Sequence, residues 1–252
     1  MSDIDDVREE LGDSEPDEFD EELERDEGPV DFSMILASSV HDMKNSLAML
    51  LDTIEVFFDN SPPQNAEQEQ QFTTLQYQAT RVKNDLINLL GIYRLKDENL
   101  PAQIDQYIIA DFLDEQIAYA DVLLRSRRIN VKLICDENAL WYLDHDLISG
   151  VVNNVILNAI RYAHDNLQIT FYQKDGFGCI EIADDGKGYP KSIIENPDNY
   201  TKSINFRNGS TSLGLYFAAQ VAKLHKRHMH EGYITIKNGG PLKGGVFTLH
   251  LP

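Results

Sequence analysis

Between Leu36 and Tyr93 the apolar residues recur at alternating steps of four and three, twice over, and few folds are open to a chain with that spacing. Leu36, Val40, Met43, Leu47, Leu50, Ile54 and Phe57 make the first run; Phe72, Leu75, Ala79, Val82, Leu86, Leu89 and Tyr93 make the second. Such a period puts each set on one stripe of a helix. The segment DNSPPQN between them carries two prolines, which stop one helix before the next begins. Two antiparallel helices cannot bury both stripes between themselves. The spacing therefore predicts a helical hairpin that is completed as a four-helix bundle in a homodimer.

After LPAQ the period changes. NVKLICD, LQITFY, CIEIAD, GYITIK and GVFTLHL alternate at every second residue and predict strands. Helices are expected from about Tyr107 to Arg127, over LISGVVNNVILNAIRYA and over SLGLYFAAQVAKLH. Without a regular strand-helix-strand repeat, the expected class is α+β, an antiparallel helical hairpin followed by an α/β sandwich with helices on one face of a mixed sheet. The expected divisions are an acidic disordered tail at 1–30, a dimerisation hairpin at 31–101 and the α/β domain at 102–252.

The formal net charge of -20 is concentrated at the N-terminus, where residues 1–28 hold fifteen Asp or Glu against two Arg. That stretch has too few apolar side chains to offset the entropy of ordering. The remainder is mildly acidic and offers no basic stripe to neutralise phosphates, which argues against nucleic-acid binding. No apolar run approaches the roughly 18 residues that span a bilayer, and the acidic start is the opposite of a signal peptide. A cytoplasmic location is expected, with no membrane attachment. Cys135 and Cys179 alternate with apolar neighbours and read as small core residues. His225, His228 and His230 have metal-like spacing without a fixed second half.

Three segments carry chemistry-bearing residues. In VVNNVILNAIRYAHD, Val151, Val152, Val155, Ile156 and Ala159 make an apolar helix face, while Asn154, Asn158 and Arg161 project from the other. Carboxamide oxygens can complete the shell of a hard cation, and an arginine can pair with phosphate. The turn ADDGKGYP sets Asp184, Gly186 and Gly188 directly after a strand, so a carboxylate lies where the backbone can approach a ligand closely. NGSTSLGLYFAAQVA places a Gly/Ser loop at a helix start, whose N–H groups favour an anion. Upstream, His41 and Asp42 fall just off the first stripe, and Asn45 follows one turn later.

In this order the segments resemble two-component sensor histidine kinases, whose ATP-binding domain belongs to the wider group shared with gyrase-, Hsp90- and MutL-type ATPases. HDMKNSL is similar to the family's phosphoacceptor box, and the resemblance covers roughly residues 32 to 252. It implies ATP and Mg2+ as ligands and His41 as the phosphorylated nucleophile, with Asp42 holding its other ring nitrogen as general base. Asn45 would orient water for dephosphorylating a partner. Asn158 would bind Mg2+, with Asn154 and Arg161 near the phosphates and Tyr162 over the nucleotide. Asp184 would select adenine through its amino group, in a turn opened by Gly186 and Gly188. Ser212, Leu213 and Gly214 would hold the phosphate tail.

The implied function is an ATP-dependent protein-histidine autokinase of a phosphorelay, which donates phosphate from His41 to an aspartate of a response-regulator receiver domain and dephosphorylates it as well. The alternative is a histidine phosphotransfer protein with a vestigial ATP-binding domain; a non-enzymatic ATP-dependent binding module would leave the His41–Asp42 pair without a purpose. Ser46 replaces the family's usual proline after the phosphoacceptor, Ser212 stands where a lid glycine is common, and Tyr189 to Asn208 lacks an F-x-P-F motif. No sensor pattern precedes the first helix, so input is expected through a separate sensory partner, the tail or the regulator.

Overall fold

A computed structural model describes residues 32–96, 102–196 and 211–252. It opens with two long helices, α1 (Phe32–Asn60) and α2 (Ala66–Lys96). Where α1 ends, the Ser61 N–H donates to the Phe57 carbonyl, and Pro62 and Pro63 follow. At the start of α2, Asn65 Oδ1 accepts from the Gln68 N–H at 2.9 Å, while Gln68 Oε1 accepts from the Gln64 N–H at 2.8 Å. These bonds satisfy donors that a helix start leaves unpaired. α1 lies against α2, with Phe58 stacked on Phe72.

The two apolar stripes are not buried within one chain. Ile54 and Ala79 are, but Met43, Leu50, Phe57, Leu75, Val82 and Leu89 remain between 45% and 66% exposed. Leu47, Phe72 and Leu86 are half-buried, and the side chains of Leu36, Val40 and Tyr93 lie outside the described residues. The face of α2 that is buried is largely polar, with Thr73, Gln76, Thr80, Asn84 and Asn88 turned inward. The reason is the α/β domain, which packs on that side of α2 through three of its helices.

The second part runs β1 (Ile104–Ile108), α3 (Ile109–Ser126), β2 (Asn130–Ile134), β3 (Leu140–Asp144), α4 (His145–Tyr162), β4 (Asn166–Lys174) and β5 (Phe177–Asp184). A short α5 (Lys191–Ile194), α6 (Thr211–Leu224), β6 (Lys226–Arg227), β7 (His230–Glu231), β8 (Tyr233–Asn238) and β9 (Gly245–Leu251) complete it. The main sheet has the order β2-β4-β5-β9-β8; β2 is parallel to β4 and the other neighbours are antiparallel. Alternate residues such as Ile169, Ile180, Ile182, Phe247 and Leu249 are fully buried and meet Val151, Val155 and Ile156 of α4 in one core. Each such side chain contributes about 1.5–3 kcal/mol by leaving water.

Two expectations are corrected. The helix expected from Tyr107 begins at Ile109, because Tyr107 and Ile108 belong to β1 and pair with Trp141 and Leu140 of β3. A ladder partner more than thirty residues away overrides the local helical pattern. Cys179 is fully buried in β5, whereas Cys135 follows the end of β2 and is only half-buried. His225 is buried at the end of α6: Nε2 accepts from the Asp144 N–H at 3.0 Å, and Nδ1 donates to the Val221 carbonyl at 2.9 Å. This neutral imidazole ties α6 to the start of α4. His228 lies in a turn and His230 in β7, and among the described residues no group of three or more His, Cys, Asp or Glu could hold a metal.

Candidate active site

The C-terminal half of α4 and the turn after β5 enclose a cavity of about 340 Å³. α4 is set in place by Asp144, whose Oδ1 caps the helix by accepting from the Leu147 N–H at 3.0 Å. From there the 3.6-residue period sends Val155 and Ala159 to the apolar wall, which Ile182 of β5 completes, while Asn158 and Tyr162 line the same cavity. The remaining wall is Asp184, Lys187, Gly188, Tyr189 and Pro190. Flat apolar walls closed by one carboxylate suit a heteroaromatic base bearing an amine.

Asp184 is held by the backbone. Its Oδ1 accepts from the N–H of Gly186 at 2.8 Å and of Gly245 at 3.2 Å, which leaves Oδ2 with capacity for a ligand donor. Burial pushes the Asp184 carboxyl above the usual carboxylate range, and these two N–H groups oppose that rise. A side chain at position 186 would strike the Tyr162 carbonyl, so only glycine lets the turn pass this close to α4. Gly188 has φ +76, a left-handed conformation that releases Tyr189 toward the cavity.

Three contributors outside the expected set complete the geometry. Asp185 accepts from the N–H groups of His164, Asp165 and Asn166 and from Asn166 Nδ2, at 2.8–3.2 Å, and so clamps the loop after α4 to the turn after β5. Burial alone would raise its carboxyl, but these bonds outweigh burial and hold it below the usual range. Asn238, at the end of β8, holds Tyr189 by both amide atoms. Burial and the neighbouring Asp184 raise the Tyr189 hydroxyl, which stays neutral at physiological pH. The repeated glycines signalled the turn; nothing local signalled Asn238.

The expected residues divide. Asn158, Tyr162, Asp184 and Gly188 line one cavity. Arg161 is exposed beside it, with its guanidinium 5.2 Å from the centre of the Tyr162 ring. Asn154 does not project outward as expected: it is buried one turn before Asn158, against Gly214 of α6. It faces inward because α6 crosses α4 there, and that contact brings Gly214 and Leu213 beside α4. The Ser212 side chain lies outside the described residues, as does much of the segment where the lid was expected. On α1, Asp42 and Asn45 are exposed, and the His41 side chain lies outside the described residues. Among the described residues, none of α1 lines the cavity. Ser46, in place of the expected proline, donates its hydroxyl to the Asp42 carbonyl at 2.9 Å within the helix.

Residues 143–252 match the family described as histidine kinase-, DNA gyrase B-, and HSP90-like ATPase. Over a longer stretch the chain is similar to the signal transduction histidine-protein kinase AfsQ2 of Streptomyces coelicolor, 29% identical over 69% of this chain and 31% of that protein. It is also similar to the sensor histidine kinase RppB of Synechocystis sp., 25% identical over 86% of this chain and 48% of that protein. A third relative is the sensor protein KdpD of Clostridium acetobutylicum, 23% identical over 87% of this chain and 24% of that protein. The chain thus spans between a quarter and a half of the length of these relatives. Among solved structures, the Acinetobacter baumannii histidine kinase AdeS shares the fold with a TM-score of 0.55 at 18% identity, over 84% of this chain and 96% of that one. Full-length ShkA in complex with AMPPNP aligns with a TM-score of 0.57 at 17% identity, over 87% of this chain and 46% of that one.

Proposed function

We propose that this chain, whose residues 143–252 match the histidine kinase-, DNA gyrase B-, and HSP90-like ATPases and which is similar over most of its length to two-component sensor histidine kinases, is an ATP-dependent protein-histidine autokinase. The observation that carries this reading is the cavity in which Asp184, fixed by two backbone N–H groups, closes an apolar slot beside Asn158.

ATP enters with its adenine between the apolar wall of α4 and Tyr189, and its amino group donates to Asp184. Asn158 is the hard oxygen donor beside the cavity. No cluster of three acidic or imidazole ligands exists among the described residues, so a cation here needs the nucleotide's own phosphate oxygens, the mode Mg2+ prefers. Bound there, Mg2+ neutralises charge on the β- and γ-phosphates. Arg161 lies at the mouth for a phosphate oxygen.

His41 attacks the γ-phosphorus through a ring nitrogen: a P–N bond forms, the bond to the β–γ bridging oxygen breaks, and ADP leaves. Asp42 accepts the proton from the other ring nitrogen and fixes the tautomer. The phosphoryl group then passes to an aspartate of a response-regulator receiver domain, and Asn45 orients water to remove it. The protein works as a homodimer in which the exposed stripes of α1 and α2, Met43, Leu50 and Phe57 with Leu75, Val82 and Leu89, are buried against a second copy. Residues 31–101 then form the phosphoacceptor bundle and 102–252 the catalytic domain.

The test is incubation of the purified chain with γ-labelled ATP and Mg2+. Acid-labile, base-stable label is expected, and it is absent in His41→Gln while binding of an ATP analogue persists. Label of equal yield in His41→Gln would remove His41 from the mechanism. Asn45→Ala should keep autophosphorylation within about threefold and slow loss of phosphate from the receiver.

A further inference from the structure

Strands β1 and β3 form a two-stranded sheet of their own, and one face of that ribbon is apolar and open to water. Ile108 lies opposite Leu140 and Gln106 opposite Tyr142, with Ile104 at the end of the ladder, so these side chains share a face. Ile104, Ile108, Leu140 and Tyr142 are 37–49% exposed. The opposite face, with Tyr107 and Leu143, joins the core. Four large apolar side chains held side by side at the surface mark a place that another segment covers. At its Ile104 end the ribbon runs into a second cavity of about 270 Å³, lined by Ile104, Tyr142, His225, Lys226, Arg227 and Pro252.

The two ends of this face differ in charge. Lys223, Lys226 and Arg227 stand near Ile104, against Glu231, which Lys226 holds at 2.7 Å, and the carboxylate of Pro252. Arg227 has no anionic partner among the described residues. At the Leu140 end the turn before β3 carries Asp136 and Glu137. An occupant must therefore bring apolar side chains for the ribbon and carboxylates for one end of it. Residues 1–31 lie outside the described residues, and their sequence spaces Ile4, Val7 and Leu11 at three and four, with Asp5, Asp6, Glu9 and Glu10 between them and Gly12 after them. Wound as a helix on contact, these three apolar side chains span about 10 Å of one face, and Ile104 to Ile108 span about 13 Å of strand. The lengths match. We propose that this ribbon is the docking site of the chain's own N-terminal acidic segment, with Ile4, Val7 and Leu11 seated on Ile104, Ile108, Leu140 and Tyr142 and the carboxylates turned toward Arg227. The ribbon supplies the apolar partner that the segment lacks by itself.

The connection is long enough. Phe58 stacks on Phe72, and from that pair α1 and α2 run alongside each other, so the start of α1 at Phe32 lies beside the end of α2 at Lys96. Eight residues lead from Lys96 to Ile104 and cover at most about 27 Å, whereas the twenty-one from Leu11 to Phe32 reach about 70 Å. Tethering at that range gives a local concentration on the order of 1 mM, so a weak contact is enough to hold the segment down. Docking here does not depend on the kinase reading, because the face shares no residue with the first cavity.

The experiment uses the full chain with isotope-labelled Ile, Leu and Val methyl groups, observed by NMR. In the double variant Val7→Ser, Leu11→Ser the methyl signals of Ile104, Ile108 and Leu140 should move, while those of Ile169 and Ile180 in the core stay in place. Reciprocally, Tyr142→Ser should move the signals of Ile4, Val7 and Leu11. A peptide of residues 1–14 added to the double variant should restore the parent signals, and the same peptide carrying Leu11→Ser should be needed at a concentration at least about tenfold higher. Titration with an ATP analogue should be unaltered in the double variant, which keeps this result separate from the fate of the kinase reading. Unmoved Ile104 and Ile108 signals in the double variant overturn the proposal. A difference between parent and double variant that vanishes on dilution overturns it too, by giving the face to the segment of another molecule.

Discussion

Asn238 and Tyr189 are joined by a reciprocal pair of hydrogen bonds across 49 residues of sequence. Asn238 Oδ1 accepts from the Tyr189 N–H at 2.7 Å, and Asn238 Nδ2 donates to the Tyr189 carbonyl at 2.9 Å. One amide thus replaces a stretch of ladder and fixes a wall of the first cavity from the end of a neighbouring strand. Asn238→Ala should weaken binding of an ATP analogue about three- to tenfold, for the loss of roughly 1 kcal/mol of positioning. Asn238→Asp, which keeps the acceptor, should fall between the two. Unchanged affinity in Asn238→Ala would show that Tyr189 does not bear on the nucleotide.

Base choice is the role proposed for Asp184. Its carboxylate accepts from an exocyclic amine but opposes a carbonyl oxygen, so ATP should bind more tightly than GTP by at least about 1–3 kcal/mol. Asp184→Asn can turn an amide donor toward guanine and should narrow that gap. Competition titrations with the two nucleotides decide it, and equal affinities in the parent protein would remove Asp184 from this role.

The same residue predicts a pH dependence of binding. Burial raises the Asp184 carboxyl, so it takes up a proton at a higher pH than an ordinary aspartate does. Once protonated, it accepts poorly from adenine. ATP-analogue affinity should therefore begin to fall above the ordinary aspartate pKa of about 3.9 as acid is added. In Asp184→Asn the fall should be absent.

His225 makes stability itself sensitive to acid. Burial holds the imidazole below the usual histidine range, and its Nε2 is occupied in accepting from the Asp144 N–H. The unfolded chain takes up a proton near about pH 6.5 while the folded chain resists it. Stability is therefore full above that pH and is lost as the pH falls below it. Thermal melts between about pH 7.5 and about pH 5.5 should show Tm dropping, with a shallower slope in His225→Gln. Part of the slope should survive in that variant, because burial also lowers His250.

The exposed stripes of α1 and α2 give the proposed dimer a direct test. Leu50→Asp should leave a monomer by sedimentation velocity with a folded α/β domain, since Leu50 is 47% exposed within one chain and a charge there meets no buried surface until a second copy docks. A variant that stays dimeric would place the interface elsewhere.

Sequence determined what depends on near neighbours. The heptad spacing marked α1 and α2, the apolar face of α4 followed from Val151, Val152, Val155, Ile156 and Ala159, and the glycines around Asp184 announced a tight turn after a strand, because helix faces, pleats and turns are fixed within a few residues. Tertiary structure decided everything that needed a partner distant in sequence. Tyr107 joined a strand because Trp141 lay opposite it, Asn154 turned inward because α6 crossed α4 at Gly214, and the buried side of α2 became the polar one because the α/β domain packs there. Asn238 acquired its place beside Tyr189 in the same way: the antiparallel pairing of β8 with β9, and of β9 with β5, brings the end of β8 to the turn that follows β5, a proximity that no local periodicity encodes.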